Sequence, residues 1–245
     1  MPKLPRPFYA ASGSRVMIGG KSAEMIDADL AAGVARVGGF WREPSYVESY
    51  LHGAQALIDK GIADTNLDDV GLPVFYLQRH ALELLLKSVL GWLHAIEDLQ
   101  QLAKDLEFKP DLEKRDRQIR RHSHRVLLDM LVVVARAVGV PAPPADIARL
   151  VRKFSVLEKT ETWARYGSSL SKTGDGVRHM QDEVVIPLVE LQLELVALAE
   201  TVLYRDLHGA SYENTLADQW SELSSAIDHL KGLHVHGEDH SSGIF

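Results

Sequence analysis

From Pro44 onward, apolar residues return every three or four positions almost without interruption, and no run of β-branched residues alternates with polar ones over the length of a strand. A period of 3.6 gathers side chains on one face of a helix, whereas the pleat of a sheet requires a period of two. The chain is therefore read as all-α. The strictest stripe is Val184, Leu188, Leu191, Leu195, Leu198 and Val202, spaced 4-3-4-3-4, with Val185, Val189 and Val196 as a second stripe beside it. A helix carrying both stripes is expected to be buried along two adjacent faces. Pro187 fits in its first turn, where a missing N–H costs nothing.

Five further helices follow from the same period. The first spans 44–61, with Pro44 in its first turn and Gly61 as its C-terminal stop, and it presents Val47, Tyr50, Leu51, Ala54, Leu57 and Ile58. The second begins after Asn66-Leu67-Asp68-Asp69 and continues to about Leu106. Along it, Ser88, Gly91 and Ala95 predict a place where another helix approaches closely. The third covers 124–138 and is stopped by Gly139 and the Pro141-Ala142-Pro143-Pro144 segment, whose fixed φ and missing donors break any continuation. The fourth is short, 145–157; the double stripe is the fifth; the sixth carries Leu216, Trp220, Leu223, Ile227 and Leu230 and ends at Gly232. Residues 1–43, rich in Pro and then Gly, read as an arm with at most a short helix at 22–37; residues 44–232 form one helical domain, and 233–245 a flexible His-rich tail.

A chain of 245 residues, 46% of them hydrophobic, can bury about three quarters of its unfolded surface in one domain. It has no cysteine, which excludes disulfides, thiolate metal sites and a cysteine nucleophile, and fits a reducing compartment. No apolar stretch follows the basic N-terminal residues as in a secretory signal. The longest strongly apolar run, 130–135, is far below the ~20 residues of a membrane helix. The expectation is a cytoplasmic protein with no membrane contact. A net charge of −7 argues against a surface that coats nucleic acid throughout, but it leaves room for a local basic patch. Such a patch exists: Lys114, Arg115, Arg117, Arg120, Arg121 and Arg125 stand against Glu113 and Asp116, while Arg205 is the single Lys or Arg in the acidic stretch 182–230.

The basic segment has two readings, a phosphate-binding surface or a solvated connector that pairs with the acidic sixth helix. No aromatic residue interleaves its arginines, so stacking on single-stranded bases is not expected. In the second helix, Arg79, Glu83 and Lys87 stand at i, i+4 and i+8 with His80 beside them. They form either a solvated ridge of weak ion pairs or a partly buried charged seam that sets helix register. Gly19-Gly20-Lys21-Ser22 has the end of a phosphate-binding loop, but Arg15 occupies the place of its first glycine. His234, His236 and His240, beside Glu238 and Asp239, are ligand types with nothing to orient them, so no metal and no cofactor are expected.

The segment Tyr76-Leu-Gln-Arg79-His80-Ala-Leu-Glu83-Leu-Leu-Leu-Lys87 resembles the signature helix of HEPN-like helical domains, with its R-H-A/S-x-E-L-x-L-K pattern. His124-Arg-Val-Leu127-Leu128-Asp-Met-Leu131 is similar to the H-x-L-x-x-L that opens the next helix in one bacterial branch. Trp163-Ala-Arg165-Tyr166-Gly-Ser-Ser-Leu-Ser-Lys172-Thr-Gly174 resembles that branch's F-R-Y-P-x-D-K-x-G loop, with Gly167 in place of the proline. The resemblance covers roughly residues 44–205. It implies an up-and-down bundle of four to five core helices that often pairs as a homodimer; the irregular N-terminal arm and an extra C-terminal helix, read from the residues, are expected beside it.

The group includes RNA-cleaving toxins and defence proteins, whose RNases use an arginine followed after four to six residues by a histidine. Arg165 stands at the expected place, but no histidine follows it at that distance, and His179 lies well beyond. The pairs with the required spacing are Arg115/His122, Arg117/His122 and Arg117/His124, in the connection before the third helix. Three functions are thus expected in competition. The first is a dimeric module in bacterial stress or phage defence, binding a protein partner or RNA, the latter through Lys114, Arg115, Arg117, Arg120, Arg121 and Arg125. The second is a metal-independent RNase with His122 or His124 as general base and Arg117 beside it. The third is a structural adaptor using the acidic C-terminal helices. Arg79, His80, Glu83 and Lys87 are expected to be structural.

Overall fold

The computed structural model describes residues 23–35, 46–157, 168–170, 176–178, 183–204 and 209–239. In chain order its helices are α1 (Ala23–Ala32), α2 (Tyr46–Ala63), α3 (Asp68–Lys104), α4 (Leu112–Ile119), α5 (His124–Val138), α6 (Ala145–Leu157), α7 (Leu188–Val202) and α8 (Tyr212–Asp239). They form an all-α bundle. Between α6 and α7 the strands β1 (Ser168–Leu170) and β2 (Gly176–Arg178) pair antiparallel, with Ser169 opposite Val177. Three residues are too few for a two-residue alternation to register in a sequence, which is why no strand is expected there. No described helix is long and apolar enough to cross a membrane.

The axis of the bundle is α3. Its buried residues cover more than half of its circumference, from Val74 and Phe75 through Leu82, Leu85, Leu86, Val89 and Leu90 to Leu93 and Ile96. So wide a buried face needs cover from several sides, and α2, α5, α7 and α8 pack against it. The C-terminal helix is therefore no appendage: Tyr212 and Leu216 belong to the core, and the Tyr212 hydroxyl donates to the Pro141 carbonyl oxygen across the bundle. Within α8, Ile227 is buried as expected but Trp220 and Leu230 are exposed. The helix also runs through Gly232 to Asp239, so the boundary placed at 232 falls inside a continuous helix, and Gly232 does not stop it.

Two glycines act otherwise than expected. Gly61 does not end the first helix, because α2 continues to Ala63 and the turn comes at Thr65, whose φ is +55°. Gly61 is buried where a Cβ would lie 2.7 Å from Val70 Cγ2 and 3.2 Å from the Asn66 carbonyl oxygen, so it is the point where the returning chain comes closest. Gly91, read as part of a close helix approach, faces open space. Gly139, by contrast, closes α5 with φ +76°, as the sequence implies.

The largest correction concerns α7. Its first stripe is in the core, with Leu191, Leu195 and Val202 fully enclosed against α2 and α3. The second stripe is not: Val185, Val189 and Val196 are exposed, together with Leu193 at 66%. α7 lies at the outside of the bundle; beyond α2 and α3 it touches α8 and α6, and α6 reaches it through charge, Arg149 to Glu194 and Lys153 to Glu190 and Glu194. Pro187 precedes the helix as its N-cap residue, and Val184 lies outside the helix.

Candidate functional site

Arg79, Glu83 and Lys87 occupy one stripe of α3, and the first two are almost wholly buried. Glu83 Oε1 accepts from Lys87 Nζ at 2.7 Å and lies 2.9 Å from His122 Nδ1, while Oε2 is 3.3 Å from Arg79 Nη1. Arg79 Nη2 donates to the carbonyl oxygen of His122 at 2.9 Å. The stripe is therefore a buried seam that ties α3 to the connection between α4 and α5, and the solvated ridge is excluded. Burial works to raise the pKa of Glu83, but hydrogen bonds from Lys87 and His122 with their charges outweigh it, so the carboxyl sits below its ordinary range and is ionised at neutral pH. His80 plays a different part. Its ring meets Tyr50 edge-on at 4.5 Å and lies parallel to Tyr76, and burial chiefly lowers its pKa, which keeps it neutral between α2 and α3.

The two candidate histidines have opposite surroundings. His124 opens α5 after Ser123, the N-cap residue, and is only 3% exposed. Its ring stands edge-on to Phe154, and Nε2 donates to the Arg79 carbonyl oxygen at 3.1 Å. Nδ1 is then a buried acceptor with no partner among the described residues. Desolvation, more than the neighbouring Arg79, pushes its pKa down to about 4. As a general base meeting an external substrate His124 is thus corrected: it is a neutral packing residue. His122 keeps 53% of its side chain exposed. In the neutral ring the carboxylate selects the tautomer with the proton on Nδ1, which leaves Nε2 as an acceptor, with no partner among the described residues.

The basic segment is not a plain connection. Residues 112–119 form α4, capped by Asp111, whose Oδ1 accepts from Lys114 N at 2.9 Å. With no buried residue and alternating charge, this helix has no apolar period to announce it. Arg115 must be removed from the exposed set: it pairs with Asp98 and Glu97 of α3 and donates to the His94 carbonyl oxygen. The acids that compensate the segment thus come from α3 and from α4 itself. Arg117 and Arg120 are 70% and 76% exposed and have only Glu113 and Asp116, one turn back, at 4.0 and 2.8 Å. Exposed pairs of that kind are worth at most about 1 kcal/mol. Lys114, Arg121 and Arg125 are exposed and form no ion pair among the described residues. Of the three Arg/His spacings, Arg117/His122 alone keeps both members accessible.

Several expectations fall outside the described residues: Gly19 to Ser22, Trp163 to Gly167, Lys172, Gly174, Arg165 with His179, and His240. His234 and His236 lie on the α8 backbone. Compared with known proteins, the chain matches no protein-family model, no curated protein and no solved structure significantly. What the fold and the site define is an all-α bundle with a buried four-way charge cluster beneath an exposed basic corner.

Proposed function

We propose that this chain is a HEPN-like helical module that binds RNA through the corner formed by α4 and the start of α5. The observation that carries the reading is that Lys114, Arg117, Arg120, Arg121 and Arg125 are all exposed on a chain of net charge −7, without any buried counter-charge among the described residues. Like charges held together on a folded surface cost energy that an anionic partner offsets. Phosphate contact dominates such a surface and carries little sequence preference. The HEPN-like reading draws support from a contact between two of the segments that carry the resemblance: the ring of His124 bonds the backbone of Arg79. Replacing Arg117, Arg120 and Arg121 with Gln is expected to weaken binding by a similar factor for every RNA sequence. The slope of log K against log salt should fall by about 2, at roughly 0.7 per single-strand phosphate contact. Unchanged binding and slope overturn the reading. Homodimerisation belongs to the same proposal, and a monomer mass in sedimentation at micromolar concentration would remove it.

A second reading, metal-independent RNA cleavage, is favoured by one contact, His122 Nδ1 on Glu83 at 2.9 Å. A buried carboxylate that fixes the tautomer of an exposed imidazole is the arrangement that makes a general base. In that reading His122 Nε2 takes the proton of a ribose 2′-hydroxyl, the 2′-oxygen attacks the adjacent phosphorus, and the bond to the 5′-oxygen breaks, leaving a 2′,3′-cyclic phosphate and a 5′-hydroxyl whose proton comes from water. Arg117 and Arg121 then offset the charge on the phosphorane. Incubation with total cellular RNA separates the readings: cleavage lost in His122→Ala supports the nuclease, and intact RNA with the wild-type chain leaves the binder.

A further inference from the structure

We propose that the cleft between α3, α4 and α5 is a subsite for one unstacked nucleobase with its phosphate, a deepening that rests on the RNA reading of α4. The chain leaves α3 at Lys104 and turns back at once, with the Phe108 N–H donating to the Asp105 carbonyl oxygen and the Glu107 N–H to Asp105 Oδ1. That turn sets Phe108 in the wall of a cavity of about 320 Å³, which Gln101, Lys109, Lys114, Gln118 and His94 also line. The volume lies at the low end of the roughly 300–1,000 Å³ of small-molecule sites, which suits one nucleotide and excludes a duplex.

The lining chemistry selects among small ligands. The acids present are already engaged: Glu97 by Arg115 and His94, and Asp111 by the Lys114 amide at the start of α4. Lys109 and Lys114 form no ion pair among the described residues, so that with Arg115 against Glu97 and Asp111 the lining keeps a net positive charge for an anion. Phe108, half-buried, supplies an apolar face of the kind on which any base stacks. The carboxamides of Gln101 and Gln118 each offer both a donor and an acceptor, as the edge of a base requires. His94 adds a neutral wall. Its Nδ1–H is held by Glu97, burial lowers its pKa, and its Nε2 is a buried acceptor without a partner among the described residues. Lys114 joins the cleft to the exposed arginines, since α4 is a single helix ~12 Å long. A strand lying across Arg117 and Arg121 can therefore place one base in the cleft.

The consequence is a preference for single strands, read with the full chain by fluorescence anisotropy on a labelled single-stranded oligoribonucleotide and on its duplex, with AMP, CMP, GMP and UMP titrated by calorimetry. Phe108→Ala is expected to weaken single-strand binding roughly 5- to 150-fold, to leave the salt slope and duplex binding unchanged, and to be rescued by Phe108→Tyr. Mononucleotide binding that Phe108→Ala abolishes makes a free nucleotide the occupant. A response of the strand alone makes the occupant a base of RNA; both results support the subsite. If Phe108→Ala lowers the melting temperature, Gln118→Ala, on the side of α4 lining the cleft, takes its place with the same expected loss of single-strand binding. Wild-type affinity in every folded variant overturns the subsite, while a salt slope that still falls in the Arg117, Arg120 and Arg121 variant leaves the RNA reading standing. A wild-type chain that binds neither RNA nor any mononucleotide overturns both.

Discussion

Acidification should destabilise this protein through His124 before it reaches the carboxylates. The ring is buried against Phe154 and its pKa is pushed from the ordinary 6.5 down to about 4, mainly by desolvation. Because the folded value is depressed, the unfolded chain takes up a proton below 6.5 that the folded chain refuses. Stability is therefore complete above pH 6.5, declines as the pH falls through the window, and levels off below about 4. A shift of that size, at about 1.4 kcal/mol per pH unit, corresponds to about 3 kcal/mol, a large fraction of a typical 5–15 kcal/mol. His80 and His94 are shifted in the same direction and add to the slope, so the effect is isolated by difference. His124→Gln keeps an amide N–H for the Arg79 carbonyl oxygen and removes the titration. Urea midpoints followed by circular dichroism between pH 7 and 4 should fall less steeply for the variant, the two curves converging by about 3 kcal/mol. If the variant loses as much stability over that window as the wild type, the buried neutral imidazole is not what makes the fold acid-sensitive.

Glu83→Gln is expected to cost about 3 kcal/mol, because it leaves Arg79 and Lys87 without their shared counter-charge and weakens the hold on His122; a chemical denaturation midpoint equal to wild type would show the seam to be idle. The carboxylate's own depressed pKa places its contribution above its ordinary value of 4.5, lost as the pH falls through the lower folded value. Leu191→Asp puts an unpaired charge at a fully enclosed position and should abolish the folded far-ultraviolet spectrum, whereas Leu193→Asp, at 66% exposure, should shift the melting point hardly at all. Equal effects of the two would mean that α7 is not buried on one side. Gly61→Ala should destabilise by about 1–3 kcal/mol, since the new methyl meets Val70 Cγ2 at 2.7 Å; an unchanged thermal midpoint would show that the α2–α3 turn relaxes freely.

Much of this architecture is written locally. The period of 3.6 places α5 and α6 to the residue and α3 to within two residues at each end, and Gly139 with the prolines after it acts on backbone only a few positions away. The i, i+4, i+8 spacing likewise brings Arg79, Glu83 and Lys87 onto one stripe before any tertiary contact exists. What that spacing does not carry is which partner covers the stripe. His122 reaches Glu83 from 39 residues away, and this contact turns a row of surface ion pairs into a buried cluster. The same distinction separates the two stripes of α7: both are apolar in the sequence, yet α2 and α3 enclose one and leave Val189 and Val196 outside. α4 escapes detection because its helix rests on a cap and on charge, with no face in the core. Phe108 looks remote from the arginines until the turn at Asp105 brings it to the same cleft as Lys114. Periodicity and capping are short-range properties of the chain, whereas burial depends on which distant surface arrives to displace the water, and only the packed bundle specifies that.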